Sequence, residues 1–207
     1  AFERAGSEMR TGYDLRTARR SLNLLFTDWA NRGLNLWTLD SSTVPLVAGT
    51  ATYNLPADTV DLLDHVVRTG SGTTQSDISI TRISNSTYSS IPNKLVTGRP
   101  IQLVVNRTAT PSVTVWPVPD AATTYTLVYW RMRRIQDAGD GANTMDLPFR
   151  FLPAMVAGLA YYLAMKVPNG TDRLQILKAQ YDEAWTFATD EDREKASVRF
   201  VPKISGF

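Results

Sequence analysis

Cysteine is absent from this chain and histidine occurs once, as His65. Without thiols there is no disulfide framework, no thiolate zinc site and no cysteine nucleophile. A single imidazole cannot supply the paired histidines of an H-E-x-x-H zinc site, and a lone His65 in the strand-like run Leu62 to Arg68 reads as a packing or surface residue, not as the base of a Ser-His-Asp triad. Lysine is scarce too: 17 of the 22 basic residues are Arg. Two explanations stand side by side. Arg makes planar, multi-donor contacts and is enriched in interfaces where Lys is depleted; a GC-rich genome also codes Arg for Lys. The net charge of +2 is too small to mark a polyanion partner by itself. Long apolar runs are missing as well. The best, Phe151 to Val167, contains Pro153 and Lys166 and falls short of the roughly 20 residues a membrane span needs. No membrane partner is expected. A helix apolar on every face needs other protein to cover it, and neighbouring subunits are one source of that cover.

The chain has 207 residues, 43% hydrophobic and 20% charged, enough for one good core or two small ones. Its opening, charged at Glu3 and Arg4, does not resemble a signal peptide. It begins without Met inside helix-patterned sequence, so native residues are expected upstream of Ala1. Thr11-Gly12-Tyr13-Asp14 has the form of a capping box, with Thr11 as N-cap. Leu15, Ala18, Leu22, Leu25 and Trp29 then recur at steps of three and four and share one helix face. Arg16, Arg19 and Arg20 fall outside that stripe, either solvated or facing another subunit. Gly33 supplies the stop.

From Trp37 to Arg134 the period changes to two. Val44 to Val47, Ala51 to Leu55, Val60 to Arg68, Asp77 to Ser84, Ile101 to Asn106, Ser112 to Trp116 and Thr124 to Arg134 read as strands. A short helical turn fits within Ser84 to Ile91. After the loop Asp137 to Asn143, Phe151 to Lys166 reads as a helix that Pro168-Asn169-Gly170 breaks. Thr171 caps a last helix with Leu174, Leu177, Tyr181, Ala184 and Ala188 on one face. The tail Val198 to Phe207 alternates apolar and polar residues with no partner in cis. The expected fold is α+β: a discontinuous helical bundle built from both chain ends, 1–36 with 144–197, and an inserted, mostly antiparallel β domain, 37–143. An extended C-terminal tail, 198–207, follows.

Neither G-x-x-x-x-G-K-[ST] nor G-x-G-x-x-G occurs, so the common nucleotide sites are unsupported. Asp137, Asp140 and Asn143 fail as a calcium loop because Gly139 and Gly141 stand where oxygen ligands belong. Asp58, Asp61 and Asp64 would scatter on a strand. No catalytic, cofactor-binding or metal-binding residue is expected. Arg131, Arg133 and Arg134 lie beside Tyr129 and Trp130, a composition that suits a nucleic acid backbone or a strand end bordering a subunit interface. On a strand Arg131 and Arg133 share one face and Trp130 and Arg134 the other, which splits the patch.

The order of these pieces resembles a known family. Tyr13 to Asn23, from Tyr-Asp-Leu-Arg to Ser-Leu-Asn, followed by Trp29-Ala30-Asn31-Arg32-Gly33-Leu34-Asn35-Leu36-Trp37, is similar to the opening of short-tailed phage head-to-tail adaptors. These are the tail tubular protein A type, also called gatekeeper or head completion proteins. Tyr53-Asn54-Leu55-Pro56, Ile91-Pro92-Asn93-Lys94 with Gly98-Arg99-Pro100, and Trp116-Pro117-Val118-Pro119-Asp120 resemble its β-region landmarks. Leu147-Pro148-Phe149-Arg150-Phe151 leading to Gly158 to Ala164 resembles its return helix. The resemblance implies a homo-oligomeric ring, a dodecamer, beneath the portal protein and above the tail nozzle protein, with genomic DNA passing through without sequence specificity. Candidate inter-subunit or portal and nozzle contacts are Arg16, Arg19, Arg20, Trp37, Arg131, Arg133, Arg134, Arg199, Phe200 and Phe207. Alternatives are a nozzle or fibre-attachment protein, a carbohydrate-binding or hydrolysing β module, and a nucleic-acid-binding module.

Overall fold

The structure is a computed structural model that describes residues 1–8, 12–33, 36–136, 146–167 and 171–192. The expected Thr11 cap, the Asp137–Asn143 loop, the Pro168-Asn169-Gly170 break and the Val198–Phe207 tail lie outside these residues, as does the side chain of Thr171. In chain order the α-helices are α1 (Phe2–Ala5), α2 (Gly12–Asn31), α3 (Asn85–Ser89), α4 (Leu152–Ala164) and α5 (Thr171–Glu191). The strands are β1 (Leu39–Leu46), β2 (Thr52–Asn54), β3 (Thr59–Thr69), β4 (Ser76–Ser79), β5 (Thr81–Arg82), β6 (Gln102–Asn106), β7 (Ser112–Trp116) and β8 (Tyr125–Arg133). The fold is α+β with two mostly antiparallel sheets. It divides into two compact units, one from Ala1–Leu36 with Asp137–Phe207 and one from Trp37–Gln136.

In the first unit α4 packs against α1, α2 and α5. Its buried face is built from small residues, Ala154, Ala157, Gly158, Ala160 and Ala164, which lets the flanking helices come close. A Cβ at Gly158 would lie 2.9 Å from both Leu25 Cδ1 and Tyr181 Cε2. Helix α2 buries Ala18, Ser21, Leu25, Phe26 and Trp29, while Leu15 in its first turn is exposed. Ser21 donates to the Thr17 carbonyl and accepts from Lys166 Nζ, so this buried hydroxyl is satisfied. The apolar run that includes α4 therefore finds most of its cover inside the chain. Small side chains allow α1, α2 and α5 to close around it, leaving Leu152, Pro153, Met165 and Lys166 of the run exposed.

The second unit has sheet orders β1-β8-β3-β4 and β2-β7-β6-β5, with every pairing antiparallel except β5 with β6. Leu62, Val67 and Leu127 from the first sheet and Leu103, Val113 and Val115 from the second share one core. Two boundaries differ from the sequence pattern. Strand β1 begins at Leu39, five residues before Val44, because Asp40 and Ser42 occupy inward positions as polar partners of Arg131 and Tyr129. The run Asp77 to Ser84 is two strands, since the chain leaves one sheet for the other around buried Ile80.

Gly158→Val should destabilise the helical unit by about 1–3 kcal/mol through overpacking against Leu25 and Tyr181. Urea unfolding would register this as a lower midpoint.

Candidate assembly surfaces

The arginines singled out in the sequence have different fates. Arg131 points inward from β8 and is only 7% exposed. Its Nη1 donates to Asp58 Oδ1 at 2.6 Å and to Thr59 Oγ1 at 2.9 Å, and its Nη2 to Asp40 Oδ2 at 3.2 Å. One guanidinium thus ties β1, β8 and the start of β3 together, and it is committed inside its own chain. Burial pushes the Asp58 carboxyl up, but the hydrogen bond and charge of Arg131 more than offset this and hold it below its ordinary value. Arg133 is half-buried and donates to the carbonyl of half-buried Trp37 at 3.4 Å. Arg134 is exposed, and its backbone N–H donates to the Asp58 carbonyl. Trp37, Arg131 and Arg133 therefore gather at one end of the β1-β8-β3 sheet. Arg16 and Arg20 are exposed on α2 and Arg19 is half-buried there. Arg199, Phe200 and Phe207 lie outside the described residues.

The β-region landmarks are fasteners. Tyr53 Oη accepts from the Val47 N–H at 2.9 Å and donates to the Thr50 carbonyl at 2.7 Å, closing the turn before β2. Trp116 Nε1 donates to the Asn93 carbonyl at 3.1 Å. Gly98 N–H donates to the Val118 carbonyl and Val118 N–H to the Val96 carbonyl, both at 2.8 Å. The Ile91–Pro100 loop is thereby pinned to the segment after β7, with Leu95 left prominent at 81% exposure. Among the described residues no three His, Asp or Glu side chains form a group able to hold a metal ion, and no helix is long and apolar enough to cross a membrane.

Residues 3–202 match the family model described as SU10 adaptor protein. The chain belongs to the SU10 adaptor protein family. It is thus a phage head-to-tail adaptor, a structural component of the virion. Among curated proteins none matches it. For an adaptor the informative surface is the one it offers to other proteins, and here the sequence pattern missed most of it. Tyr13 and Leu24 on α2, Phe149 before α4, and Ile176 and Phe187 on α5 are exposed. An open groove of about 690 Å³ runs along α5, with Pro153 and Ala157 of α4 on its other wall. Ile176 and Phe187 lie off the buried stripe of α5 by a fraction of a turn. A search restricted to the inner face passes over them.

His65 sits half-buried on β3. Its burial lowers the imidazole pKa; a hydrogen bond to the Ile80 backbone opposes this, Arg82 adds to it and Asp64 opposes it again. Its Nδ1 is buried without a hydrogen-bond partner. Burial thus disfavours the charged form of the adaptor's sole histidine.

Arg131→Met should cost the adaptor about 1–3 kcal/mol, since Asp58 and Asp40 are left to water while the sheet end loses its tie. Equilibrium unfolding in urea would measure it. The pH dependence has a definite sign. His65 has a folded pKa below its unfolded 6.5, so its stabilisation is full above pH 6.5 and is lost as pH falls through the folded value. Asp58 behaves likewise below 3.8. Unfolding free energies measured from pH 7.5 down to 4.5 should decline, and His65→Asn should flatten that decline.

Proposed function

We propose that copies of this adaptor close into a ring, a dodecamer, seated between the portal protein and the tail nozzle protein at the portal vertex. Genomic DNA passes through its centre without sequence specificity, and the protein performs no chemistry of its own. The observation that carries this reading is the family match over residues 3–202, nearly the whole chain. In this reading 1–36 with 144–197 form a helical bundle that makes the ring wall. The β domain, 37–143, projects outward or toward the tail, and 198–207 docks on a neighbouring subunit or on the portal.

The physical arrangement supports it. A head-to-tail ring needs two different surfaces on one subunit that meet by rotation, and permanent assemblies bury roughly 2,000 Å² or more of rather apolar surface. The exposed apolar residues of α2 and α5 supply such surface on separate helices. Arg16, Arg19 and Arg20 belong to the proposed contact set with Trp37, Arg133, Arg134, Arg199, Phe200 and Phe207. Arg131 does not, because its guanidinium is already bonded within the β unit.

Phage particles made without this chain should accumulate as DNA-filled heads that lack tails; tailed, infectious particles would contradict the proposal. In purified material, removal of Val198–Phe207 should lower the fraction of chain assembled on portal-bearing heads, measured by sedimentation. An unaffected truncation would remove the tail from the scheme.

A further inference from the structure

We infer that the α4/α5 groove of one copy receives the outer stripe of α2 from the next copy, with the two helices antiparallel. This rests on the ring reading and assigns its copy-to-copy contact.

The two surfaces match in spacing. On α2, Tyr13, Arg16, Arg20 and Leu24 recur at steps of three and four and point away from buried Ala18, Leu25 and Trp29. Tyr13 is 74% and Leu24 57% exposed. On α5, Ile176, Gln180, Glu183 and Phe187 follow the same kind of spacing and line the groove. Ile176 is 61% and Phe187 68% exposed. Each stripe therefore places two apolar residues eleven positions apart, about 16 Å along a helix, with polar residues between them.

Charge sets the direction. The first half of α2 carries Arg16, Arg19 and Arg20 against a single Asp14. The second half of α5 carries Asp182, Glu183, Asp190 and Glu191 with no basic residue, while its first half holds Arg173 and Lys178 against a single Asp172. Antiparallel docking sets the basic half of α2 on the acidic half of α5 and aligns the helix dipoles favourably. It places Tyr13 over Phe187, Arg16 over Glu183 and Leu24 over Ile176. A parallel arrangement would bring Arg20 to Glu183 but would set Arg16 toward the half of α5 that already holds Arg173 and Lys178 and would align the helix dipoles unfavourably. The donor stripe and the receiving groove are different surfaces of one subunit, as a closed head-to-tail ring requires.

The absence of native cysteine makes the contact directly readable. The full chain carrying Leu24→Cys and Ile176→Cys, assembled on portal-bearing heads and oxidised, should give a ladder of covalent multimers on a denaturing gel. Either cysteine alone should give single chains. Glu183→Arg should reduce the assembled fraction at least tenfold, and adding Arg16→Glu should restore it. All four positions are exposed, so thermal unfolding of the variants should match the parent. Normal rings with no ladder and a tolerated Glu183→Arg would overturn this contact and leave the ring reading standing. A ladder from Leu24→Cys with Phe187→Cys in place of Ile176→Cys would overturn the antiparallel direction. A parent chain that never assembles on such heads would overturn the ring reading and this contact together.

Discussion

In the helical unit the Trp29 indole is fully buried, and its surroundings come from distant parts of the chain. Its Nε1 donates to Tyr181 Oη at 2.8 Å; Tyr181 Oη in turn donates to Asp28 Oδ2 at 3.4 Å, and Asp28 accepts from Arg32. A polar path thus leads from the middle of the core to its surface, and no buried donor along it is stranded. The rings of Phe26, Phe151 and Trp185 pack around the indole with centroids 5.9, 5.8 and 4.8 Å away. Arg32 caps the cluster over the faces of Tyr181 and Trp185. Because Trp29 precedes the strand region while Phe151, Tyr181 and Trp185 follow it, this core forms only when both flanks of the chain are in place. The close approach at Gly158 is the complement of the same constraint. Aromatic bulk on α2 and α5 is accommodated by the lack of bulk on α4.

The β unit handles its polar interior differently. Its centre is aliphatic, but one end of the β1-β8-β3 sheet is held by a buried guanidinium with carboxylates from two other segments. Arg131 Nε is buried without an acceptor, so the network is incompletely satisfied. Replacing such a cluster by apolar residues of similar volume is often neutral for stability. What the ionic version adds is directionality. In the observed register it bonds both Asp58 and Asp40, at the sheet end where Trp37 and Arg133 also stand.

Periodicity exposed much of this in advance, and its failures have physical causes. Strands β6 and β7 lie where alternating Val and Thr placed them, within a residue. The start of β1 was invisible because its inward residues, Asp40 and Ser42, are polar partners and break the apolar alternation. The sheet switch near Ile80 leaves little mark because neither Gly nor Pro accompanies it. The buried stripes of α2 and α5 were legible from spacing, since a helix that buries one face must repeat near 3.6 residues. Arg131 shows what periodicity leaves open. Sequence reports that a cluster of charges exists but not which member the pleat turns inward, and the partners, Asp40 and Asp58, lie 91 and 73 positions away. Ile176, Phe187 and Leu24 fall outside the stripes read as core, and an apolar residue off the stripe carries no mark in sequence that it belongs to an exposed surface.

These features suit a protein whose work is to hold others in place. Its cores are closed within the chain, its landmark residues lock loops, and apolar side chains stay exposed on α2 and α5 and at Leu95 in the Ile91–Pro100 loop. The central claim is that such surfaces join copies of this chain into a ring between head and tail. The most direct measurement is a cryo-electron microscopy reconstruction of the portal vertex in virions that carry the chain. The account predicts a closed ring of copies between portal and nozzle, with helix-to-helix contacts between neighbours. Density for isolated copies, or for the chain at another position in the particle, would contradict it.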